Sequence, residues 1–198
     1  GTGPGQRYGH AAVIDTANHR NRMVVFGGQT ANGLANNNLY VLDLGTLTWS
    51  VPTLTGKPEA REGHTLVVDP TLRTTNGVVE QRFVLCGGKA QGGSLKNDIW
   101  ALWVDRDAGT FRWQQPSTPT AATDPAPRTR HAAVWDPTGN HPTYDRMVMF
   151  GGEQAGSSAA SDSAWGLVVP EDGSTPTWTV LAKNPSFGLA GHSMTGLS

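Results

Sequence analysis

The sequence predicts an all-β protein assembled from copies of one four-stranded antiparallel unit, and three observations carry that prediction. One sequence line occurs three times with matching internal spacing. Each copy is a series of short apolar, β-branched runs closed by Gly-Gly, Asn or Pro breakers. No segment places apolar residues at i, i+3, i+4 and i+7 over three turns, and 25 glycines and 13 prolines interrupt the 198 residues too often for long helices.

The repeated line opens with Arg7-Tyr8-Gly9-His10, Arg61-Glu62-Gly63-His64 and Arg128-Thr129-Arg130-His131. An aspartate follows each histidine after five residues, at Asp15, Asp69 and Asp136. A second arginine stands five residues before a double glycine: Arg22 before Gly27-Gly28, Arg82 before Gly87-Gly88, Arg146 before Gly151-Gly152. An aromatic comes 12, 12 and 13 residues after the second glycine, at Tyr40, Trp100 and Trp165. Trp49, Trp113 and Trp178 close the units. Fixed anchors with variable gaps are the signature of strands joined by loops.

Each element follows from its residues. The runs around Val13, Val67 and Val134 form the first strand of each unit. Arg-Met-Val-Val-Phe and its counterparts form the second, stopped by the glycine pair. The Leu39–Leu42 segment and its counterparts give the third, and the segments around the closing tryptophans the fourth. Apolar runs, in place of strict alternation, indicate strands covered on both faces, as in stacked sheets. The units span roughly residues 7–50, 61–114 and 128–180 of a single domain, 1–198.

The pattern Arg-x-Gly-His, Asp, Arg-apolar-Phe-Gly-Gly, Asn-Asp-x-Trp, Trp resembles the kelch repeat in its galactose-oxidase-like and bacterial forms. The resemblance covers nearly the whole chain. Blade one departs from it with Asn37-Asn38-Leu39-Tyr40, blade three with Asp162-Ser163-Ala164-Trp165 and with Arg130 at a family glycine. The resemblance implies a β-propeller whose Arg-x-Gly-His strand is innermost, whose tryptophan strand is outermost, and whose blade-to-blade loops share a binding face with the loops between second and third strands. A fourth unit starts at Leu189-Ala190-Gly191-His192, giving a first strand over 189–197. The expected architecture is therefore an incomplete propeller of three blades plus one strand. Closure needs about four blades or more, so missing sequence or another chain is expected to complete the ring.

The repeated residues supply the candidate sites. His10, His64, His131 and His192 stand one per unit, the arrangement of a packing device; a metal needs three or four ligands converging at about 2 Å. Asp15/Arg22, Asp69/Arg82 and Asp136/Arg146 bracket each first hairpin and read as exposed pairs contributing about 0–1 kcal/mol each. The six anchor aromatics read as blade-to-blade packing, while Trp103 and Trp135, outside the anchors, are the candidates for stacking on a sugar. Arg7, Arg61 and Arg128 are the binding candidates, with Arg130 adding a second charge in blade three. The resemblance places them around the channel mouth, where guanidinium forks suit carboxylates. The competing reading is that they bond carbonyls of the neighbouring blade. Cys86, within Phe83-Val84-Leu85-Cys86, reads as a small buried hydrophobe.

Composition limits the function classes. A formal net charge of −1 with 16% charged residues gives no reason to expect nucleic acid. No apolar stretch approaches the roughly 18 residues of a membrane helix. There is no Gly-x-Ser-x-Gly elbow and no phosphate loop. Copper-radical chemistry, which the galactose-oxidase resemblance raises, finds only Tyr8, Tyr40 and Tyr144 and one cysteine. The expectation is a non-catalytic recognition module without cofactor or metal, presenting loops to a protein or glycan. Alternatives are part of a sugar-processing kelch enzyme with active residues outside this chain, and a component of a surface or filament assembly. The repeat style leans towards an extracellular or envelope setting.

Overall fold

The computed structural model describes residues 1–15, 21–116, 124–137, 146–157, 159–170, 174–183 and 188–195. Blade one holds β1 (Arg7–Tyr8), β2 (Ala11–Asp15), β3 (Arg22–Phe26), β4 (Gln29–Thr30), β5 (Leu39–Asp43) and β6 (Thr48–Ser50). Blade two holds β7 (Arg61–Glu62), β8 (Thr65–Thr75), β9 (Val78–Ala90), β10 (Leu95–Asp105) and β11 (Phe111–Gln114). Blade three holds β12 (Arg128–Thr129), β13 (Ala132–Asp136), β14 (Arg146–Phe150), β15 (Glu153–Gln154), β16 (Ser163–Val168) and β17 (Thr177–Lys183). The main sheets run β2-β3-β5-β6, β8-β9-β10-β11 and β13-β14-β16-β17, antiparallel throughout. The first hairpins share one register, with Asp15 opposite Arg22, Asp69 opposite Arg82 and Asp136 opposite Arg146. Ahead of each inner strand, β1, β7 and β12 pair across the double glycine with β4, the end of β9, and β15.

The inner strand β8 packs against both β2 and β13, so the three blades stand side by side around one axis. The pleat of blade two then sorts its residues by neighbour. Leu66, Phe83, Leu85, Leu102 and Trp113 pack with Val24, Phe26, Leu39 and Val41 of blade one. The alternate residues Val67, Val84, Cys86 and Ile99 pack with Trp135, Met147, Met149 and Leu167 of blade three. This is why the runs are apolar at consecutive positions: both faces of the sheet are core. Each large side chain buried this way contributes about 1.5–3 kcal/mol. Cys86 is buried at the second interface, and burial there pushes its thiol pKa up to about 12.

The double glycine is a steric requirement of this stacking. Gly27 has φ +68°, and a Cβ there would sit 2.7 Å from the His64 ring of the next blade. Gly28, φ +85°, would meet His10 of its own blade at 2.9 Å. The same pair of contacts recurs at Gly87-Gly88 and Gly151-Gly152.

Two features differ from the sequence expectation. Residues 188–195 carry no strand. Inner strands exist by pairing with the second strand of their own unit, and among the described residues this segment has no such neighbour. Its backbone nevertheless docks on blade three, with Gly152 N donating to Leu189 O at 2.7 Å. Blade two also extends its first hairpin to a two-residue turn at Asn76-Gly77, both at positive φ (51° and 82°), at the end of the blade opposite Arg61. Asn-Gly is the strongest short-range hairpin signal.

Candidate functional site

Arg7, Arg61 and Arg128 begin β1, β7 and β12, at one end of the three blades. Each donates its Nη1 to the carbonyl of the first glycine of its own blade: Gly27 at 2.8 Å, Gly87 at 2.9 Å, Gly151 at 2.8 Å. In blades two and three the Nε also donates, to Glu59 O and Ala126 O at 3.1 Å. The backbone completes the joint, since Gly28 N of blade one donates to Arg61 O at 2.8 Å. Arg61 and Arg128 are 1% and 2% exposed. The expectation of guanidinium groups reachable by solvent is therefore corrected for these two. So is the neighbouring-blade alternative, because the side chains bond carbonyls of their own blade. The physical reason is that five guanidinium donors at a strand start find carbonyls within reach and are satisfied there. Arg7 remains half-buried and Arg130 exposed.

What differs between blades is the anion. In blade two Arg61 grips Asp98 with both terminal nitrogens, at 2.6 and 2.8 Å. Trp100 Nε1 donates to the same carboxylate at 2.9 Å. Burial works against the Asp98 charge, but the bonds and charge of Arg61 outweigh it and hold the carboxyl below its usual range. Sequence reasoning passed over Asp98 as a functional group, although the Asn97-Asp98-Ile99-Trp100 anchor carried it. In blade one Asn38 occupies the equivalent place, and the Arg7 guanidinium lies over the Tyr40 ring, 4.6 Å from its centroid. In blade three the equivalent is Ser163, and among the described residues Arg128 has only the Ser161 hydroxyl at 3.2 Å besides carbonyls. Trp165 Nε1 there is buried without a partner. A cleft of about 560 Å³ opens beside these groups, lined also by Ser163 and Lys183.

A second constellation runs along the channel. Gly63 N donates to Gly9 O at 2.7 Å, Arg130 N to Gly63 O at 2.8 Å, and Gly191 N to Arg130 O at 2.8 Å. All four residues have positive φ, between 56° and 71°. Arg130 is the single non-glycine of the four; its side chain points out and pairs with Glu153 at 3.0 Å. The histidines that follow are joints. His64 packs edge-on against Phe26 of blade one at 5.5 Å, and His131 Nε2 lies 3.1 Å from the Thr65 hydroxyl of blade two. Burial, reinforced by the neighbouring Arg61 or Arg128, lowers both pKa values to about 3, so both rings are neutral.

The Asp/Arg pairs are corrected from exposed hairpin pairs to buried latches in blades one and two. Asp15 and Asp69 are fully buried. Arg22 reaches past Asp15 to Gly109 O of blade two at 3.0 Å, and Arg82 past Asp69 to Val169 O of blade three at 2.9 Å. Trp103 and Trp135, the sugar-stacking candidates, are 6% and 8% exposed, so neither offers a face to a glycan. Trp103 instead lies among Arg73, Arg82 and Arg112. The anchor aromatics pack within blades, as Trp100 on Trp113 and Trp165 on Trp178, and also between them, as Phe26 on Trp113. Among the described residues, no group of three or more His, Cys, Asp and Glu is placed to hold a metal, and no helix is long and apolar enough to cross a membrane.

The family model of the KLHDC2/KLHL20/DRC7 Kelch-repeats domain matches residues 1–196. The chain belongs to the kelch-repeat family. It is 30% identical over 151 residues to the Dynein alpha chain, flagellar outer arm, of Chlamydomonas reinhardtii, covering 75% of this chain and 3% of the dynein. It is 32% identical over 128 residues to the human Rab9 effector protein with kelch motifs, covering 65% of this chain and 31% of that protein. The solved structure of YjhT superimposes with a TM-score of 0.60 at 17% identity, over 95% of this chain and 56% of YjhT. That likeness supports the kelch propeller fold. The chain thus spans about a third or less of these curated relatives. None of these relatives lends support to an extracellular setting.

Proposed function

We propose that this chain is part of a protein-binding kelch propeller and that it carries no catalytic centre of its own. The observation that carries this reading is the division of labour between anchors and loops. The strand-start arginines and the repeat histidines of blades two and three are buried, and the double glycines lie against the repeat histidines. The segments between second and third strands vary in sequence and stay exposed, at Ala31–Leu34, Gln91–Ser94 and Ala155–Ser157. Two of these loops are neighbours, with Ala35 N donating to the Gln91 side chain at 2.5 Å. A rigid frame with clustered variable loops is the usual layout of a recognition surface. Burial of Trp103 and Trp135 favours a protein over a glycan partner. The name of the Rab9 effector points the same way, and the dynein relative suits an assembly role, itself protein binding. Further blades, from a longer chain or a second copy, would complete the ring.

Loop replacement tests the proposal. Exchanging Ala31–Leu34 and Gln91–Ser94 for Gly/Ser segments of equal length should leave the melting temperature nearly unchanged and abolish crosslinking to an identified partner protein. Crosslinking retained at full yield after both exchanges would reject this face as the recognition surface.

A further inference from the structure

The cleft in blade three repeats a clamp whose anion is absent. In blade two, Arg61 and Trp100 Nε1 converge on the Asp98 carboxylate. The corresponding donors in blade three are Arg128 and Trp165, placed by the same anchors. Asp98 lies two residues before Trp100, and Ser163 two residues before Trp165. A serine supplies a hydroxyl but no charge. Arg128 is nevertheless as buried as Arg61, and among the described residues no carboxylate pairs with it. Blade one meets the same loss differently, by setting Arg7 on the Tyr40 ring and leaving it half-exposed. Blade three has neither device; its buried guanidinium lies in the wall of the cleft, and the Trp165 indole N–H, also buried in that wall, has no acceptor among the described residues.

We propose that this cleft is a carboxylate receptor, in which Arg128 and Trp165 take from an acidic side chain of a partner what Arg61 and Trp100 take from Asp98. The partner being a protein rests on the recognition reading above; the chemistry of the site does not. A buried cation without an anion is costly, and a carboxylate repays that cost through bidentate, charge-assisted bonds. Lys183 adds a second positive charge to the lining. Asp162 also lines the cleft, but its Oδ1 accepts from the Ser163 hydroxyl at 3.0 Å and it makes no ion pair with Arg128. An aspartate side chain is the expected occupant because one fills the same clamp in blade two.

The test uses the seven tryptophan indole N–H signals of the ¹⁵N-labelled protein. Sodium acetate, titrated against sodium chloride at equal ionic strength, should shift the Trp165 signal saturably. Ser163→Asp, which restores the internal carboxylate, should weaken that response at least tenfold and raise the melting temperature. Arg128→Lys, which keeps the charge but loses the fork, should also weaken it about tenfold. N-acetylaspartate α-amide should bind better than N-acetylglycine; the reverse order would assign the site to a chain terminus and overturn the side-chain source. No saturable response to any of the three probes overturns the proposal. So does an equal response in Ser163→Asp, or a lower melting temperature in that variant. Acetate binding without partner capture would count against the recognition reading alone, and partner capture without acetate binding against this one alone.

Discussion

Blades two and three begin with the same residues and end in different states. Blade two is closed at both ends: Arg61 holds Asp98 at one, and Asp69 holds both Arg82 and Arg73 at the other. Among the described residues, the counterparts in blade three are less enclosed. Arg128 borders a cleft, and Asp136 and Arg146 form a partly exposed pair at 3.2 Å, their side chains 23% and 19% exposed. Blade two keeps glycine at its channel position, while blade three forces Arg130 into the left-handed region. The repeat keeps the arginine that bonds the glycine carbonyl of its own blade, and it varies the group set against that arginine, Asn38, Asp98 or Ser163. Open blades are where a partner finds unsatisfied donors.

The largest expected effect tests what the two blades share. His64 and His131 are held neutral with pKa values near 3, against about 6.5 for a free imidazole. The unfolded chain binds more protons between those values, so stability is full above about pH 6.5 and is lost as pH falls towards 3. Each ring contributes up to about 1.4 kcal/mol per pH unit in that window. Urea midpoints between pH 6.5 and 4.5, where most carboxylates stay ionised, should fall steeply, and His131→Phe should remove about half the slope.

The far ends come next. Asp69→Ala removes the buried carboxylate that Arg82 and Arg73 share and should cost about 3–5 kcal/mol. Asp136→Ala removes a partly exposed pair and should cost about 1 kcal/mol or less. Equal losses in denaturant melts would erase the distinction between the blades. At the near ends, Asp98→Asn should cost about 2 kcal/mol, the range for bonds to charged groups. Ser163→Ala should stay within about 0.5 kcal/mol. The smallest effect is at the channel. Arg130→Gly should stabilise by up to about 1 kcal/mol by relieving the left-handed backbone, whereas Gly63→Ala should destabilise, since its Cβ would fall 2.2 Å from the Thr129 hydroxyl. Calorimetric melting of both variants checks the sign.

The frame was legible because it is periodic. Arg-x-Gly-His, Arg-apolar-Phe-Gly-Gly and the closing tryptophans gave the strands, their order within each blade and the burial of Cys86. Direction was harder to read. A sequence line does not say whether Arg61 turns outward to solvent or inward to Gly87 O, and the outward reading failed because backbone carbonyls at the strand start satisfied the donors first. Asp69 looked like an exposed turn residue because its cover comes from Arg73, in an insertion specific to blade two, and from blade three beyond. The cleft could not be read from any one copy. It appears only when Ser163 is set against Asp98 and the shared position of Arg128 and Arg61 is known.

The claim that the strand-start arginines brace their own blades from within is tested most directly at Arg61, by equilibrium denaturation of Arg61→Ala and Arg61→Lys. The account predicts that alanine lowers unfolding stability by about 3 kcal/mol, as expected for a broken buried pair. Lysine, which cannot span Asp98 with two donors while reaching Gly87 O, should recover less than half of the loss. Stability unchanged in Arg61→Ala would contradict the account and return Arg61 to the binding surface.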